Sequence, residues 1–394
     1  MKRRHFLVGT AAVIAGAAGV GVYCAQRASA DYATYIRTLR RPLDPSGGID
    51  ELVRMASLAP NGHNTQPWRF AVRDRSLMIA PDFSRRTPVV DPDDHHLFVS
   101  LGAAAENAAI AGAAMGLPGE ITADDAGALH YVFANGRPAA SPLADAIVHR
   151  QSTRSNYDGR PADPATLAAL EAAGRAEGVR LVLVTARRRM NDIRDLVVVG
   201  NDRQMADPAF IAELKSWLRF SPASAMDHGD GLYSAASGNP SLPDFLGRPA
   251  FDLVFKSKSE NAKYARQIDT SAGLAIFLGD RADKPSWIKV GRAMQRFLLE
   301  ATRHGVACAY VNQPVEVAAL RPQLAALIGE SVRPDLVIRF GYGKPLPYSP
   351  RRRVEQVFAG KQAASGQRRK VAALDRLDVG RDFFRGPVPP LQFF

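Results

Sequence analysis

Cysteine is nearly absent from this chain of 394 residues, which contains only Cys24 and Cys308. Cys24 lies in an N-terminal segment that we expect to be removed, so Cys308 has no partner in the mature chain. An internal disulfide is therefore excluded. We expect Cys308 to fill apolar space instead.

A basic stripe interleaved with aromatic residues is also missing. The 51 Lys and Arg residues outnumber the 39 Asp and Glu residues, which gives a formal net charge of +12. Residues 1–30 hold four of the basic residues and no acid, and the remaining surplus is scattered. Nucleic acid is therefore not an expected partner, whereas local attraction for phosphate or another anion stays open.

Residues 1–30 have the three parts of an export signal. Arg3 and Arg4 precede an apolar run at residues 8–22, and residues 28–30, Ala-Ser-Ala, form a cleavage pattern. The paired arginines resemble the twin-arginine (Tat) signal. The run is short and glycine-rich for a membrane span, so the sequence favours a cleaved signal over an uncleaved anchor. We expect the Tat translocon as a partner during export, a periplasmic or exported location, and membrane contact only through this segment.

Apolar residues make up 46% of the chain, enough for two core-forming units or one large duplicated domain. Their helical spacing predicts helices at 32–41, 50–59, 95–115, 165–176 and 287–304. Strands are predicted at 68–72, 77–79, 129–134, 179–184, 274–278 and 336–340. This order of elements predicts an α+β fold.

Amide side chains crowd the connection between the helix at 50–59 and the strand at 68–72. Its distinctive residues are Pro60, Asn61, Gly62, Asn64, Gln66 and Pro67. The prolines fix φ at both ends, and we expect Gly62 to allow an unusual backbone angle. The loop is thus predicted to present amides to a polar, planar partner. A turn whose Asn side chains bond their own backbone is the alternative.

A second polar cluster occupies residues 149–155 and contains Arg150, Ser152 and Arg154. Two fixed guanidinium groups and a hydroxyl suit a phosphate. If the segment is helical, the two arginines project from one face. A solvated polar loop is the alternative.

Residues 91–96, Asp-Pro-Asp-Asp-His-His, contain good metal ligands. The same residues fit the start of a helix, with Asp91 as N-cap and Pro92 at the first helical position. The sequence favours capping over a metal. His95 or His96 could still contact a ligand across the helix start.

Residues 200–265 are rich in Gly, Pro, Ser and Asp, and their apolar residues show weak periodicity. Trp217, Phe220, Tyr233 and Phe245 occur among them. We expect a long irregular insertion that covers a binding site as a lid. Padding of one flank of the protein is the alternative.

The chain contains a weak internal repeat. With an offset of 189, residues 100–117 align with residues 289–306, and Gly102 falls on Gly291. Both segments are predicted helices that follow predicted strands. Two related α+β halves are therefore expected.

The two halves have diverged at the polar clusters. The amide loop occurs only in the first half, and the paired-arginine cluster at 150–154 and the terminal Arg-Arg occur clearly only in the second. Arg37 and Arg40 are interpreted as a relic of that cluster in the first half.

These clusters resemble motifs of the nitroreductase superfamily. Residues 59–68, Ala-Pro-Asn-Gly-His-Asn-Thr-Gln-Pro-Trp, resemble its flavin loop, and residues 150–154, Arg-Gln-Ser-Thr-Arg, resemble its Arg-x-Ser-x-Arg signature. The match to the Tat-exported, Acg-like branch covers roughly residues 32–358 and is strengthened at residues 87–92, 312–314 and 350–352.

The resemblance implies a dimer-like fold with FMN at the interface between two subunits. In the family's homodimers, the arginine signature and a C-terminal arginine come from one subunit, and the Asn-rich loop comes from the other. Here one polypeptide carries both, which implies a fused dimer with one complete site and one lost site. The implied cofactor-binding residues are Arg150, Ser152, Arg154, Pro60, Asn61, Gly62, Asn64, Gln66, Asn312, Gln313 and Arg352.

The implied function is that of an FMN-dependent oxidoreductase, with NAD(P)H as the family's usual donor and a nitro compound, quinone or similar small molecule as acceptor. No side chain is assigned as catalytic acid or base, because the flavin carries the chemistry. An exported protein that sequesters FMN with little turnover is the alternative. The expected organisation is a signal at 1–30, an N-terminal half at 31–140, a C-terminal half at 141–358 with the lid at 200–265, and a tail at 359–394.

Overall fold

The computed structural model describes residues 26–358. The arginine pair of the predicted signal and the tail from residue 359 lie outside these residues. The first described element, α1, is helical over residues 26–39. The helix predicted from residue 32 is therefore present, but it starts earlier and includes the predicted cleavage pattern at 28–30.

The first half contains a four-stranded antiparallel sheet with helices beside it. Its elements are α2 (Gly48–Ser57), β1 (Trp68–Arg73), β2 (Ser76–Pro81), α3 (His95–Ala114), β3 (Gly119–Ala123) and β4 (Leu129–Phe133), and α4 (Pro142–His149) follows at the start of the second half. The strand order is β1-β2-β4-β3. Trp68 and Phe70 are fully buried while Arg69 is exposed, so the alternating pattern of β1 predicts its buried face correctly.

The second half repeats this architecture with more helices. Its elements are α5 (Pro164–Gly174), β5 (Val179–Val184), α6 (Arg187–Met205), α7 (Pro208–Ser216), β6 (Leu218–Arg219), α8 (Pro222–His228), β7 (Leu232–Tyr233), α9 (Asp244–Val254), α10 (Ser257–Asp269), β8 (Gly273–Gly279), α11 (Lys284–Arg303), β9 (Ala307–Tyr310), α12 (Gln313–Glu316), α13 (Arg321–Ile328), β10 (Leu336–Gly341) and α14 (Val354–Val357).

The main sheets of the two halves have the same topology. The second sheet has the order β5-β8-β10-β9 and is antiparallel throughout. Matching β1 to β5, β2 to β8, β3 to β9 and β4 to β10 converts one strand order into the other. The internal repeat predicted from two helices therefore extends to both sheets.

The helices α3 and α11 cross at two glycines that the repeat relates to each other. A Cβ atom on Gly102 would lie 2.2 Å from the carbonyl oxygen of Ile288, and one on Gly291 would lie 2.0 Å from that of Val99. Residues 99 and 288 also differ by 189, so the repeat exchanges the two contacts. Such an exchange is the property of an isologous two-fold interface, here within one chain.

Polar pairs along the same helices obey the same exchange. Arg296 Nη1 donates to Glu106 Oε1 at 2.9 Å, and Gln295 Nε2 donates to Asn107 Oδ1 at 2.6 Å. The offset of 189 converts one pair into the other. A continuous apolar core surrounds this crossing and includes buried residues from both halves.

The helix α3 is apolar enough over 20 residues to resemble a membrane span in length and composition. However, 83% of its apolar window is buried inside the protein. It is the central core helix, and its uniform hydrophobicity reflects burial on nearly every face.

The insertion at 200–265 is mostly helical, so the expectation of an irregular segment is wrong. It contains the end of α6, then α7, α8, α9 and most of α10. Two of these helices, α7 and α8, are short and begin with a capping side chain before a proline. Asp207 accepts from the Ala209 amide, and Ser221 accepts from the Ser224 amide. Segments of this length produce too little apolar periodicity to be recognised from sequence.

The helix α3 begins at His95, as predicted, but Pro92 is not its first residue. Asp91 still caps it from a distance, because its two carboxylate oxygens accept from the amides of His96 and Leu97, each at 3.0 Å. The capping chemistry of Asp91 and the predicted helix start are therefore confirmed, whereas the placement of Pro92 at the first helical position is wrong.

Candidate functional site

A cavity of about 380 Å³ lies where both halves meet the insertion, a volume typical of small-molecule sites. The predicted site residues that line it are Pro60, Asn61, Gly62, Arg154, Asn312 and Gln313. The structure thus brings the amide loop of the first half together with residues of the second. The predicted residues outside this lining are Asn64, Gln66, Arg150, Ser152 and Arg352.

The loop between α2 and β1 contains backbone angles that L-residues rarely adopt. The φ angles of His63, Asn64 and Gln66 are 48°, 55° and 53°. Such conformations persist only where the surroundings enforce them, and they cluster at functional sites. Gly62 is not among the residues with positive φ, so the unusual angle assigned to it is a wrong expectation. A Cβ atom there would meet nothing within 4 Å, which leaves room beside its backbone.

The side chains of Asn64 and Gln66 fasten this loop to two distant segments. Asn64 Nδ2 donates to the carbonyl oxygens of Gly231 and Pro350, both at 3.0 Å. Gln66 Nε2 donates to the carbonyl oxygen of Gly229 at 2.8 Å. Their role in the structure is therefore to position the loop.

Replacing Asn64 with alanine is expected to lower the free energy of unfolding by about 2–4 kcal/mol. Arg351 Nη1 donates to Asn64 Oδ1 at 2.6 Å, so the change removes three hydrogen bonds and leaves the carbonyl oxygen of Gly231 without its side-chain donor. Chemical denaturation measures the loss. Asn156→Ala, at an exposed position, is the control, and an equal loss in both variants would contradict the assigned role.

Three guanidinium groups gather at the carboxyl end of α2, behind the loop. Arg150 Nη2 donates to the carbonyl oxygen of Leu58 at 3.1 Å, and Arg351 Nη2 donates to that of Ala59 at 3.0 Å. Arg40 Nη1 donates to the carbonyl oxygen of Arg150 at 3.0 Å. The carbonyls at a helix C-terminus carry partial negative charge, which stabilises these cations.

This arginine cluster (Arg40, Arg150 and Arg351) has no carboxylate partner in residues 26–358, since none of the three forms an ion pair within 4.0 Å. Burial lowers the pKa of each group, and mutual repulsion lowers the pKa of Arg40 and Arg351 further. Arg150 Nε is buried without a hydrogen-bond partner. Because buried charges are normally paired, the cluster fits an anion.

The C-terminal arginine of the cluster is Arg351, whereas the sequence predicted Arg352 for the site. Arg352 Nη2 donates to the carbonyl oxygen of Trp68 at 3.1 Å, and its backbone amide donates to Gln66 Oε1 at 2.8 Å. Its charged neighbours are Arg85, Asp82, Asp230 and Arg69. Arg352 therefore holds the far end of the amide loop.

Arg40 was interpreted from the sequence as a relic of the arginine cluster. In the structure it contacts the second half directly, since its guanidinium donates to the backbone of Arg150 across 110 positions of the chain. It further lies over the ring of Tyr348 at 4.0 Å. A contact this distant in sequence leaves no local pattern by which it could be predicted.

The segment with the arginine signature is extended rather than helical. Ser152 pairs with Cys308 in an isolated β-bridge beside β9, and Ser152 is only half-buried. Arg154 lines the cavity. His63 lies close to it, and burial together with the charge of Arg154 lowers the pKa of His63 to about 4. This imidazole is therefore neutral at pH 7, and the adjacent charge is positive.

Two cavity residues carry buried polar atoms without hydrogen-bond partners. They are Gln313, through Oε1, and His96, through Nε2. Asn312 is already engaged, since its Oδ1 accepts from the Val337 amide at 2.9 Å. Unsatisfied buried polar atoms are costly, so this part of the cavity fits a polar ligand group. Sequence analysis named His96 only as an open alternative.

The insertion provides the apolar part of the cavity. Its lining residues there include Phe210, Leu214, Leu218, Phe220, Phe251 and Phe255. The sequence predicts that aromatic residues of the insertion cover a binding site, and Phe220 is the one residue of this set that it identifies. The cavity therefore has a polar wall from the two halves and an apolar wall from the insertion.

Comparison with known proteins adds relatives from one organism. The chain is 27% identical over 338 residues to "Putative NAD(P)H nitroreductase Rv3131" of Mycobacterium tuberculosis, covering 81% of this chain and 93% of that protein. It is 24% identical over 323 residues to "Putative NAD(P)H nitroreductase acg" of the same species, covering 79% and 95%. No protein-family model matches.

Among solved structures, the chain is similar to the FMN-dependent nitroreductase NfnB from Mycobacterium smegmatis in complex with NADPH. The identity is 14%, the TM-score is 0.35, and the alignment covers 52% of this chain and 88% of that one. That likeness is partial, whereas the two M. tuberculosis relatives align with most of the chain. Over about four fifths of its length, this chain is therefore similar to proteins named putative NAD(P)H nitroreductases, acg among them, in agreement with the resemblance of its motifs.

Proposed function

We propose that this protein is an FMN-dependent oxidoreductase of the nitroreductase type that reduces small electron-poor molecules such as nitro compounds or quinones. One observation carries the proposal. A single cavity combines the strained amide loop of the first half with Arg154 and Gln313 of the second. Behind that loop lies the arginine cluster, which has no carboxylate partner among the described residues. The names of the M. tuberculosis relatives support it.

The residues present fit the three parts of FMN. The arginine cluster would hold the dianionic phosphate, for which guanidinium groups have the right charge and geometry. The open backbone side of Gly62 suits a flat ring. Arg154 would lie at the electron-rich pyrimidine edge, where a positive charge favours the reduced, anionic flavin.

The protein's own contribution is binding, orientation and exclusion of water. Bound FMN would supply hydride transfer between a donor and an acceptor. The apolar wall of the insertion would desolvate an aromatic acceptor, while Gln313 Oε1 and His96 Nε2 offer it polar contacts. We propose NAD(P)H as donor by analogy with the relatives' names.

A second candidate function is storage of FMN without turnover. It is favoured by the apolar lining that α7 and α9 contribute to the cavity. Anaerobic assays of the purified yellow protein distinguish the two functions. Flavin that is bleached by NAD(P)H or dithionite and reoxidised by a nitroaromatic or quinone supports the enzyme. Flavin that is reoxidised only by oxygen supports storage.

Export remains part of the proposal, although the paired arginines lie outside the described residues. We infer a Tat-dependent route from residues 1–30, because that route carries folded proteins with their cofactor. Fractionation of cells that express the double variant Arg3→Lys/Arg4→Lys tests the route. Retention of that variant in the cytoplasm is expected, and unchanged export would contradict the Tat assignment.

A further inference from the structure

Three potential metal ligands converge at the start of α3, on the wall of the cavity. Asp91, His95 and His96 each have a ligand atom within 4.8 Å of the other two. Their exposed fractions are 4%, 1% and 8%. The ligand atoms of a single bound ion lie closer together than 4.8 Å. Small side-chain rotations would therefore bring these three donors to one ion.

The capping role of Asp91 is compatible with ligation. Its two oxygens accept from the amides of His96 and Leu97. A carboxylate offers about four lone-pair directions, so these two hydrogen bonds leave capacity for a cation. The hydrogen bonds from the helix start thus fix the orientation of the Asp91 carboxylate and leave lone pairs free for a metal ion.

A buried carboxylate lies beside the first imidazole. The distance from His95 Nε2 to Asp335 Oδ1 is 3.0 Å, but the ring is not oriented for a hydrogen bond to that oxygen. Asp335 Oδ2 accepts from the Gly279 amide at 2.6 Å. A small rotation that lets Nε2 donate its proton to Asp335 would leave the lone pair on His95 Nδ1 free. Metal-binding histidines commonly show this arrangement, in which a carboxylate holds the opposite ring nitrogen.

Asp91 lacks a direct ion-pair partner among the described residues, and Arg321 is a charged neighbour at longer range. Within the described part of the chain, no Lys, Arg or His forms an ion pair with Asp91, whereas the neighbouring Asp93 and Asp94 pair with Arg333 and Arg86. His96 Nε2 is buried without a partner. Buried carboxylates are usually paired or bound to a metal.

We propose that Asp91, His95 and His96 bind one divalent first-row transition-metal ion, with Asp335 positioning His95. Two imidazoles and one carboxylate are a donor set for Zn²⁺, Fe²⁺ or Co²⁺. Because His96 lines the cavity, coordination positions left open by the protein would face the bound small molecule.

The test uses the full chain without a polyhistidine tag. The protein is treated with chelator, incubated with Zn²⁺, passed through a desalting column and assayed by mass spectrometry of the metal. About one Zn²⁺ per chain is expected, with affinity reduced at least tenfold in His96→Gln and roughly 10- to 100-fold in Asp335→Asn. His130→Gln is the control, since that imidazole is partly exposed and pairs with Asp124.

Substitution with Co²⁺ gives a second readout, because coordination by His and carboxylate produces visible ligand-field bands that His96→Gln should change. The proposal is overturned if the chain retains no Zn²⁺, or if His96→Gln retains as much as His130→Gln. Flavin absorbance is read in the same samples. Flavin without Zn²⁺ overturns only the metal site, and Zn²⁺ without flavin overturns only the proposed function.

Discussion

Replacing Arg150 with alanine is expected to weaken FMN binding by roughly 100-fold or more, about 3 kcal/mol, so that the purified variant is colourless. Arg150 is 3% exposed, and its Nε lacks a partner. It lies at the centre of the arginine cluster, because its charge acts on both Arg40 and Arg351. The substitution therefore removes the most buried of the three guanidinium groups in the cluster.

The matched control for this variant is Arg180→Ala. Arg180 pairs with Glu330 at the surface, and its side chain is 48% exposed, so flavin content should not change. Arg150 also bonds the carbonyl oxygen of Leu58, and thermal unfolding of the flavin-free proteins therefore separates lost binding from lost folding. A folded Arg150→Ala protein with normal flavin content would contradict the assignment of Arg150 to the FMN phosphate.

The second large effect is expected at the crossing of α3 and α11. Gly291→Ala should lower the free energy of unfolding by about 3 kcal/mol, at the upper end of the usual cost of overpacking. The new Cβ would lie 2.0 Å from the carbonyl oxygen of Val99, which is backbone and cannot rotate away. This cost exceeds the gain of about 1 kcal/mol that alanine brings over glycine in a helix.

The repeat makes this prediction stricter. Gly102→Ala meets the carbonyl of Ile288 at 2.2 Å and should therefore cost a similar amount. Ala172→Ser, which adds one atom on the exposed face of α5, should have little effect. Denaturant titration of all three variants provides the comparison. A destabilisation confined to one of the two glycines would contradict a symmetric crossing of the halves.

Much of the fold could be predicted because its signals are local. The alternation around Trp68 and Phe70 predicts β1, and the continuous apolar run at 274–278 predicts the fully buried strand β8. The repeat was recognisable from the glycines at the α3–α11 crossing, since close approach of two helices excludes any side chain there. Its extension to both sheets follows from topology and leaves no sequence signal.

The site was predictable only in part, for reasons that lie in long-range contacts. The strained loop has a local signal, because its amide residues are close together in the sequence, so Asn61 and Gly62 could be predicted. Which of the adjacent residues Arg351 and Arg352 reaches Arg150 depends on how the C-terminal segment passes over α2, and no local pattern encodes that. The apolar wall of the cavity comes from short, capped helices of the insertion, whose weak periodicity suggested irregular structure.

We infer that one chain forms a fused dimer with one composite flavin site. The most direct test is the number of FMN molecules per polypeptide, from flavin absorbance after denaturation and protein concentration by amino-acid analysis. One FMN per polypeptide is predicted, because the amide loop and the arginine cluster each occur once. Two per polypeptide, one per two polypeptides, or no flavin after reconstitution would contradict the account.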